Sequence, residues 1–337
     1  MRQATSDGPP YAATEATVVI PAYNAATTLG ACLDALAAQG IPGTRAHLIV
    51  VDDASTDATS AIARRPGVNV LRGPGTGPAA ARNAGIRVAT TEVVVFLDAD
   101  TVPATDWLEQ MLAPFARPDV IGVKGRYRTV QRNHLARFTQ LEFEWKYERL
   151  QRATRRDYMD TGTAAFRRSA LLGIGGFDES LRASEDVDLA FRLSRNSGAF
   201  VYNPHAIVTH HHTEEMWEYF LKKVRAAYTR AQVYERHPDK ALGDSYTPPM
   251  MGVQIALAGV VATLVVCRLA GVRRAPWGWA LTGFALTSLP VQRQALRRDP
   301  EIAVVVPLLT FVRAFAQGLG VAGSLTSRVA LILRKRR

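Results

Sequence analysis

The chain has 337 residues, of which 47% are apolar and 21% charged, a composition that excludes a disordered tail, a coiled coil and collagen. With only Cys32 and Cys267, far apart, it also excludes a disulfide framework and a four-thiolate zinc site. The net charge of +11 favours an anionic partner, namely nucleic acid, a phosphorylated substrate or an acidic membrane face.

The first half of the chain alternates between β-branched runs and Ala-rich helical stretches. Residues 1–15 are expected to be flexible and contain no apolar run of the secretory type, so we expect the domain that follows to stay in the cytosol. The runs TVVIPAYN, HLIVVDDAS, VNVL and EVVVFLDAD are apolar on both faces, as strands of a covered parallel sheet are. The pattern predicts an α/β, Rossmann-like doubly wound sheet that binds ligands at the carboxyl ends of its strands.

Two acidic clusters stand at the ends of predicted strands. Asp52 and Asp53 end LIVVDDAS, and Asp98 and Asp100 end VVVFLDAD. A carboxylate at a strand end can accept hydrogen bonds from a nucleobase or ribose, and two carboxylates one residue apart can hold a divalent cation against a diphosphate. Helix capping is the structural alternative, but it explains only one aspartate in each loop. The clusters therefore favour a metal and nucleotide site.

A glycine-rich loop, GPGTGPAAARNAG, lies between these clusters. Gly75, Gly77 and Ala80 match the G-x-G-x-x-A dinucleotide fingerprint, and Asp98 follows about 20 residues later, which is the pattern of an NAD-dependent oxidoreductase. The loop follows the third predicted strand, however, and this interpretation leaves the other acidic clusters without a role. An oxidoreductase is therefore only a distant alternative, and the absence of G-x-x-x-x-G-K-[ST] from the sequence excludes a P-loop.

Two later segments carry further candidate groups. In SEDVDLAFRL, Glu185 and Asp186 stand at the first turn of a predicted helix, where they could serve the helix dipole or supply a general base. In VYNPHAIVTHHHT, strand alternation would place His210 and His212 on one face and His211 on the other. A surface cluster is the alternative, but one histidine could complete the coordination of a cation held by the DAD carboxylates.

Residues 236–337 are dominated by apolar segments. MMGVQIALAGVVATLVVCRLAG can cross a hydrocarbon core of ~30 Å, whereas WGWALTGFALTSLPVQ is marginal in length. The third, IAVVVPLLTFVRAFAQGLGVAG, carries Arg313 and is expected to pack against protein or lie shallow, because a central arginine costs about 2.5–3.5 kcal/mol. We predict transmembrane or interfacial helices with a basic tail, and a catalytic domain on the cytoplasmic face of the cell membrane. A buried helical domain is the alternative.

The motifs VVIPAYN, VDDAS, ARNAG, FLDADT, GTAAFRR, GGFDESL, SEDVDLAFRL and the histidine after NPHAIVT occur in this order and resemble the family-2 glycosyltransferases of the GT-A fold. The resemblance covers about residues 16–235 and implies a nucleotide-sugar domain that uses Mn²⁺ or Mg²⁺. It implies an inverting transfer of one sugar to a hydroxyl of a lipid-linked or cell-envelope glycan acceptor. The Q-x-x-R-W motif of processive synthases is absent from the sequence, so we expect one addition per acceptor.

The resemblance also implies roles for individual residues. The donor site would comprise Pro21, Ala22, Tyr23, Asp52, Asp53, Arg82 and Asp98. The metal would be held by Asp98, Asp100 and a histidine, with His210 fitting best and His211 or His212 possible in its place. Asp186 of the Glu185–Asp186 pair would be the catalytic base. The acceptor floor would comprise Gly162, Thr163, Ala164 and Phe166.

Three more acceptor-side residues follow from their own surroundings. Trp145, on the predicted helix LARFTQLEFEWKYERLQRATRR, could rest on the membrane or belong to a helix packed on the sheet. Lys223 and Arg225 could meet a lipid phosphate or form a solvated face. The excess positive charge lies beside apolar segments, which favours membrane lipids and argues against nucleic acid as a partner.

The sequence thus predicts a membrane-attached glycosyltransferase, with a polyprenyl-phosphate sugar synthase as the alternative. The prediction requires Asp100 and one histidine of the 210–212 run to lie within about 10 Å of each other, since both would bind the same ion.

Overall fold

The computed structural model describes residues 15–39, 45–196, 198–241, 243–272 and 277–335. Within these ranges the chain forms two units, one of residues 15–128 and 154–210 and the other of residues 129–153 and 211–335. The predicted flexible N-terminus lies outside the described residues except for Glu15, as do the last two arginines of the basic tail.

The described part of the first unit is built on an eight-stranded mixed sheet in the order β3-β2-β1-β4-β7-β6-β8-β5. The strands are β1 (Glu15–Ala22), β2 (Arg45–Asp52), β3 (Val68–Arg72), β4 (Val93–Leu97), β5 (Thr101–Pro103), β6 (Val120–Arg128), β7 (Thr163–Arg167) and β8 (Ala199–His210). The pairings β3–β2, β2–β1 and β1–β4 are parallel, as the apolar runs predict. β7 is antiparallel to both β4 and β6, which the sequence did not indicate.

Helices cover this sheet because each has a stripe of small or apolar residues. They are α1 (Leu29–Ala37), α2 (Thr59–Ala63), α3 (Pro78–Val88), α4 (Trp107–Leu112), α6 (Arg168–Gly173) and α7 (Glu185–Leu193). Val19, Phe96, Phe166 and Leu189 belong to the core between sheet and helices. Since β1, β2 and β4 run in parallel, their carboxyl ends meet at one edge and bring the segments that begin at Tyr23, Asp53 and Asp98 together.

The second unit is helical in its described part. Its helices are α5 (His134–Arg152), α8 (Met216–Arg236), α9 (Met250–Leu269), α10 (Trp277–Arg298) and α11 (Val306–Lys335). Asn133 begins α5 as an N-cap, because its side chain accepts the N–H groups of Leu135 and Ala136. Phe138 and Leu141 pack with apolar residues of α8, α10 and α11 in one core.

Two helical segments are long and apolar enough to cross a membrane, judged by length and composition alone. They are Met250–Leu269, with a mean hydropathy of 2.2, and Val306–Ser327, with 1.3. Between them, α10 contains Pro290 and ends in two arginines. The sequence predicted all three segments as helices, and the middle one as marginal for a full span.

Candidate active site

A cavity of about 650 Å³ opens in the first unit at the carboxyl ends of β1, β2 and β4. That volume falls in the range of small-molecule sites in proteins. Asp100 lines the cavity, as do six of the seven residues predicted for donor binding. These six are Pro21, Ala22, Tyr23, Asp53, Arg82 and Asp98.

The carboxylate of Asp53 holds the glycine-rich loop against the cavity. Its Oδ1 accepts the N–H of Gly75 at 2.7 Å, and its Oδ2 accepts the N–H of Gly77 at 2.8 Å. Both glycines have positive φ values, 74° and 119°, which a residue with a side chain rarely adopts. The loop read as a dinucleotide fingerprint is therefore a wall of this cavity, and it follows β3 at the edge of the sheet.

Asp52 has a different environment from Asp53. Its side chain is buried, and its Oδ1 accepts the N–H of Ser55 at 3.0 Å, which stabilises the turn after β2. Asp52 is absent from the described lining of the cavity. The structure thus places it as a turn-stabilising residue rather than as the donor-binding residue that the sequence suggested.

Arg82 bridges two carboxylates from separate parts of the chain. Its guanidinium donates to Glu185 Oε1 at 2.6 Å through Nη1 and to Asp98 Oδ1 at 3.0 Å through Nη2. The side chains of Arg82 and Glu185 are only 7% and 8% exposed. Burial raises the pKa of Asp98, although Arg82 opposes this shift, while the two carboxylates raise the pKa of Arg82. Glu185 is thereby engaged as an ion-pair partner, which makes it unsuited to act as a base.

Asp186 stands next to this network at the first turn of α7. It is half-buried, and its Oδ1 accepts the N–H of Val187 at 2.8 Å. Ser184, the residue just before α7, has a φ of 60°, a conformation that costs free energy in a residue other than glycine. Ala54, which lines the cavity, is a second such residue, with a φ of 64°. Backbone strain of this kind clusters at functional sites because the surrounding structure must impose it.

His210, the last residue of β8, faces Asp100, which directly precedes the paired strand β5. His210 Nε2 lies 3.4 Å from Asp100 Oδ2, and their side chains are 21% and 50% exposed. The antiparallel pairing of β5 with β8 sets this distance, because Thr101 is opposite His210 in the ladder. The ring of Tyr127 packs 5.1 Å from the His210 ring, centroid to centroid, and limits its orientation.

Gly162 is a predicted acceptor residue that lies at this site. A Cβ at Gly162 would overlap the Tyr127 hydroxyl and an oxygen of the Asp98 carboxylate. Its carbonyl also accepts the N–H of Asp98 at 3.2 Å. The missing side chain therefore lets the backbone before β7 approach Asp98 closely.

The other three residues of the predicted acceptor floor lie inside the sheet. Thr163, Ala164 and Phe166 are fully buried. The hydroxyl of Thr163 accepts the indole N–H of Trp107 at 2.9 Å. They are core residues rather than an acceptor surface, because β7 lies between β4 and β6 and is covered by helices.

His212, predicted as an alternative metal ligand, belongs to the second unit. Its buried ring stacks on Phe143 at a centroid distance of 5.6 Å and shares a hydrogen bond with Gln140 at 3.1 Å. β8 ends at His210, so the strand alternation that paired His210 with His212 does not continue. Of these two histidines, His210 lies on β8 and contacts Asp100, whereas His212 lies beyond the end of that strand.

Trp145, Lys223 and Arg225 also belong to the second unit. Trp145 is partly buried and packs against the helical core. Lys223 Nζ lies 2.8 Å from Glu142 Oε2, and Arg225 is exposed on α8. Of these three predicted acceptor residues, only Arg225 is exposed.

The sequence reasoning missed Arg182. This exposed side chain lines the cavity from the segment that precedes α7. It is a cation facing the same space as Asp53 and Asp98, and it lies between the GGFDESL and SEDVDL motifs. In the sequence, only its position between these two motifs could have indicated that Arg182 belongs to the site.

The residues at the cavity fit a hard divalent cation that shares its coordination with a ligand. Within the described ranges, no three His, Cys, Asp or Glu side chains gather into a complete protein metal site. Asp100 and His210 provide one carboxylate and one imidazole. Mg²⁺ characteristically binds proteins through one or two carboxylates and takes other ligands from substrate phosphates and water, and Mn²⁺ accepts similar donors.

The sheet order, the strand-end cavity and its acidic lining define a protein of the GT-A fold. The family described as Glycosyl transferase family 2 matches residues 17–174. The chain is 34% identical over 181 residues to an uncharacterized glycosyltransferase of Mycobacterium bovis, which covers 53% of this chain and 78% of that protein. The chain therefore belongs to glycosyltransferase family 2, which confirms the resemblance seen in its motifs and leaves no support for an oxidoreductase.

Two further proteins are similar to a larger part of this chain than the family match covers. The chain is 32% identical over 275 residues to the pre-mycofactocin glycosyltransferase of Mycobacterium tuberculosis, across 77% of this chain and 57% of that protein. It thus spans little more than half the length of that relative. A mannosyltransferase from Pyrobaculum calidifontis, solved in complex with GDP-Man and Mn²⁺, has a TM-score of 0.64 and 24% identity, covering 92% of this chain and 88% of that one. This likeness shows the fold.

Proposed function

We propose that the protein is a metal-dependent, inverting glycosyltransferase that moves one sugar from a nucleotide sugar to a hydroxyl of a lipid-linked or cell-envelope acceptor. The observation that carries this proposal is the 3.4 Å approach of His210 to Asp100, which lines the cavity together with Asp53 and Arg82. The GDP-Man and Mn²⁺ in the related mannosyltransferase support a donor of this class.

The lining residues suit the two ends of such a donor. Asp53 fixes the Gly75–Gly77 loop, and Tyr23, 62% exposed beside it, offers an aromatic face for a base. Arg82 presents a positive charge that Asp98 and Glu185 orient from behind, which suits a diphosphate. Arg82 Nε is buried without a hydrogen-bond partner among the described residues.

Asp100 and His210 would hold Mn²⁺ or Mg²⁺, which when bound supplies positive charge that stabilises a departing diphosphate. Asp186 is the base that takes the proton from the acceptor hydroxyl, since Glu185 is bound to Arg82. Asp186 lies in the first turn of α7, where its Oδ1 accepts the N–H of Val187. The remaining lining groups bind and orient the donor.

The second unit would attach the enzyme to the cell membrane, with the catalytic unit on the cytoplasmic face. Met250–Leu269 and Val306–Ser327 are the candidate spans. Arg313 in the second span is only 1% exposed and donates to Glu142 and Gln254. Such internal pairing is how a charged side chain is accommodated in an apolar helix.

The proposal is tested with the full chain in detergent and a panel of UDP-, GDP- and dTDP-sugars in the presence of Mn²⁺. Asp186→Asn should lower turnover by about 10²-fold or more, because general-base catalysis contributes that much, and should leave nucleotide affinity nearly unchanged. Asp34→Asn, a surface change at a residue paired with Arg65, is the control and should keep wild-type turnover. Wild-type turnover by Asp186→Asn would refute the base assignment, and no response to any nucleotide sugar would refute the function.

A further inference from the structure

The helical unit gathers cationic side chains around a single glutamate. Glu142 on α5 is 2% exposed, and burial opposes its ionisation, but nearby cations lower its pKa to about 2. Its Oε2 accepts from Lys223 at 2.8 Å and from the Tyr219 hydroxyl at 3.2 Å, and its Oε1 accepts from Arg313 at 3.2 Å. Both carboxylate oxygens are therefore occupied.

Lys146 makes no ion pair of its own within the described part of this arrangement, although the nearby Glu142 carboxylate partly favours its charged form. It lies four residues after Glu142, on the same face of α5, where an ion pair would normally form. Among the described residues, however, no carboxylate comes within ion-pair distance of Lys146. Its ammonium instead lies over the rings of Phe143 and Tyr246, 5.3 and 5.1 Å from their centroids. Burial, and then the charge of Lys223, lowers the pKa of Lys146 to about 8.

Further cations act on the same ammonium. Lys223 and Arg230 are two helical turns apart on one face of α8, and both repel Lys146, as does Arg313. The Lys223 and Arg230 side chains are 19% and 25% exposed, so the cluster is reachable from solvent. Asp244 Oδ2 lies 3.9 Å from Arg230 Nη1, but this carboxylate also accepts the Tyr234 hydroxyl and the N–H of Tyr246.

We propose that Lys146, Lys223 and Arg230 form a binding site for a phosphate monoester or diphosphate group. Gathering like charges in a partly buried place costs free energy, which a bound anion would offset. Ammonium and guanidinium donors are the groups that bind phosphate most strongly. The two aromatic faces hold the Lys146 ammonium without neutralising it, so its charge stays available to the anion.

The same unit contains both candidate membrane spans, so the phosphate is assigned to the lipid carrier of the acceptor. This assignment rests on the proposed function, whereas the anion site itself does not. A free phosphate shares the same chemistry, and the experiment separates the two sources by comparing a soluble ligand with a lipid-linked one.

The test uses the full chain in detergent with EDTA, and calorimetric titration with pyrophosphate and with farnesyl diphosphate. Lys146→Met keeps most of the length of the side chain and removes its charge. It should weaken the binding of both ligands by about tenfold or more through loss of a charge-assisted contact. The matched control is Lys222→Met, since Lys222 is an exposed neighbour paired with Glu218, and its affinities should stay within about twofold of wild type.

The possible outcomes distinguish a failure of the phosphate site from a failure of the proposed function. Equal affinity of Lys146→Met and wild type for both ligands would overturn the phosphate site. Tighter wild-type binding of farnesyl diphosphate than of pyrophosphate supports the lipid carrier, whereas equal binding refutes the carrier and keeps the phosphate site. Mn²⁺-dependent nucleotide binding, measured separately on the same protein preparations with Mn²⁺ and without EDTA, should be unchanged in Lys146→Met. Its absence in wild type would refute only the proposed function.

Discussion

His210 Nε2 and Asp100 Oδ2 lie 3.4 Å apart although 110 residues separate them in the chain. The short ladder between β5 and β8 makes the approach possible, because it begins directly after Asp100 and ends at His210. A carboxylate and an imidazole at this distance are suitable ligands for one divalent ion, and the ring contact with Tyr127 holds the imidazole in place.

We therefore expect His210→Asn to weaken Mn²⁺-dependent nucleotide binding by about tenfold or more, which is the scale seen when the surroundings of a metal site are disturbed. The measurement is a calorimetric titration of the nucleotide at several Mn²⁺ concentrations. His211→Asn is the matched control, since His211 is exposed next to it. Equal Mn²⁺ dependence of the two variants would contradict the assignment of His210.

The neighbouring acids Glu185 and Asp186 should behave differently. Glu185→Gln breaks the buried pair with Arg82, and removing one partner of a buried pair typically costs about 3–5 kcal/mol. Thermal or chemical denaturation should therefore show a large loss for Glu185→Gln and a small one for the half-buried Asp186→Asn. Similar losses in the two variants would show that the Arg82–Glu185 pair is not the stabilising contact.

Gly162 should not tolerate a side chain. In Gly162→Ala the new methyl group would overlap the Tyr127 hydroxyl and the Asp98 carboxylate, so we expect a loss of stability of about 1–3 kcal/mol and weaker nucleotide binding. Gly173→Ala at the end of α6 is the control, because a Cβ there meets nothing within 4 Å. The prediction fails if nucleotide affinity and unfolding free energy of Gly162→Ala both match those of the control.

The helical unit should lose stability in acid through Glu142. Its pKa in the folded state is about 2, below the ordinary 4.5, so its contribution is complete above pH 4.5 and is lost as the pH falls towards 2. Glu142→Gln should be less stable than wild type by about 3–5 kcal/mol at pH 7, and this difference should shrink on acidification. Denaturation in detergent between pH 3 and pH 7 measures it.

Glu218→Gln is the control for that series, because Glu218 pairs with Lys222 on the exposed face of α8. Surface pairs contribute about 0–1 kcal/mol, so its difference from wild type should stay small at every pH. A difference between wild type and Glu142→Gln that does not change with pH would contradict the role of the ionised Glu142.

Several features of the catalytic unit could be predicted because their causes are local. The apolar runs before Asp53 and Asp98 indicate strands buried on both faces, and parallel strands must deliver their ends to one edge. The acidic residues at those ends therefore predicted the cavity. The ordered motifs gave the family. Arg313 predicted an apolar helix that packs against protein or lies shallow, and in the structure its side chain is buried and donates to Glu142.

The partner of each charged group could not be predicted in this way. Sequence spacing treats Glu185 and Asp186 as equivalent, but only Glu185 reaches Arg82, 103 residues away. It also groups His210 with His212, whereas the end of β8 separates them.

The sequence by itself determined the four apolar strands β1 to β4, the apolar helices of the second unit, the family, and the acidic edge of the sheet, since periodicity and composition act over a few neighbouring residues. Only the tertiary structure decided that β7 is a buried antiparallel strand, that Asp53 holds a loop, and that Lys146 has no carboxylate partner among the described residues. The physical reason is that hydrogen bonds and ion pairs need contact within about 4 Å, and the folded arrangement of distant segments selects which groups come that close.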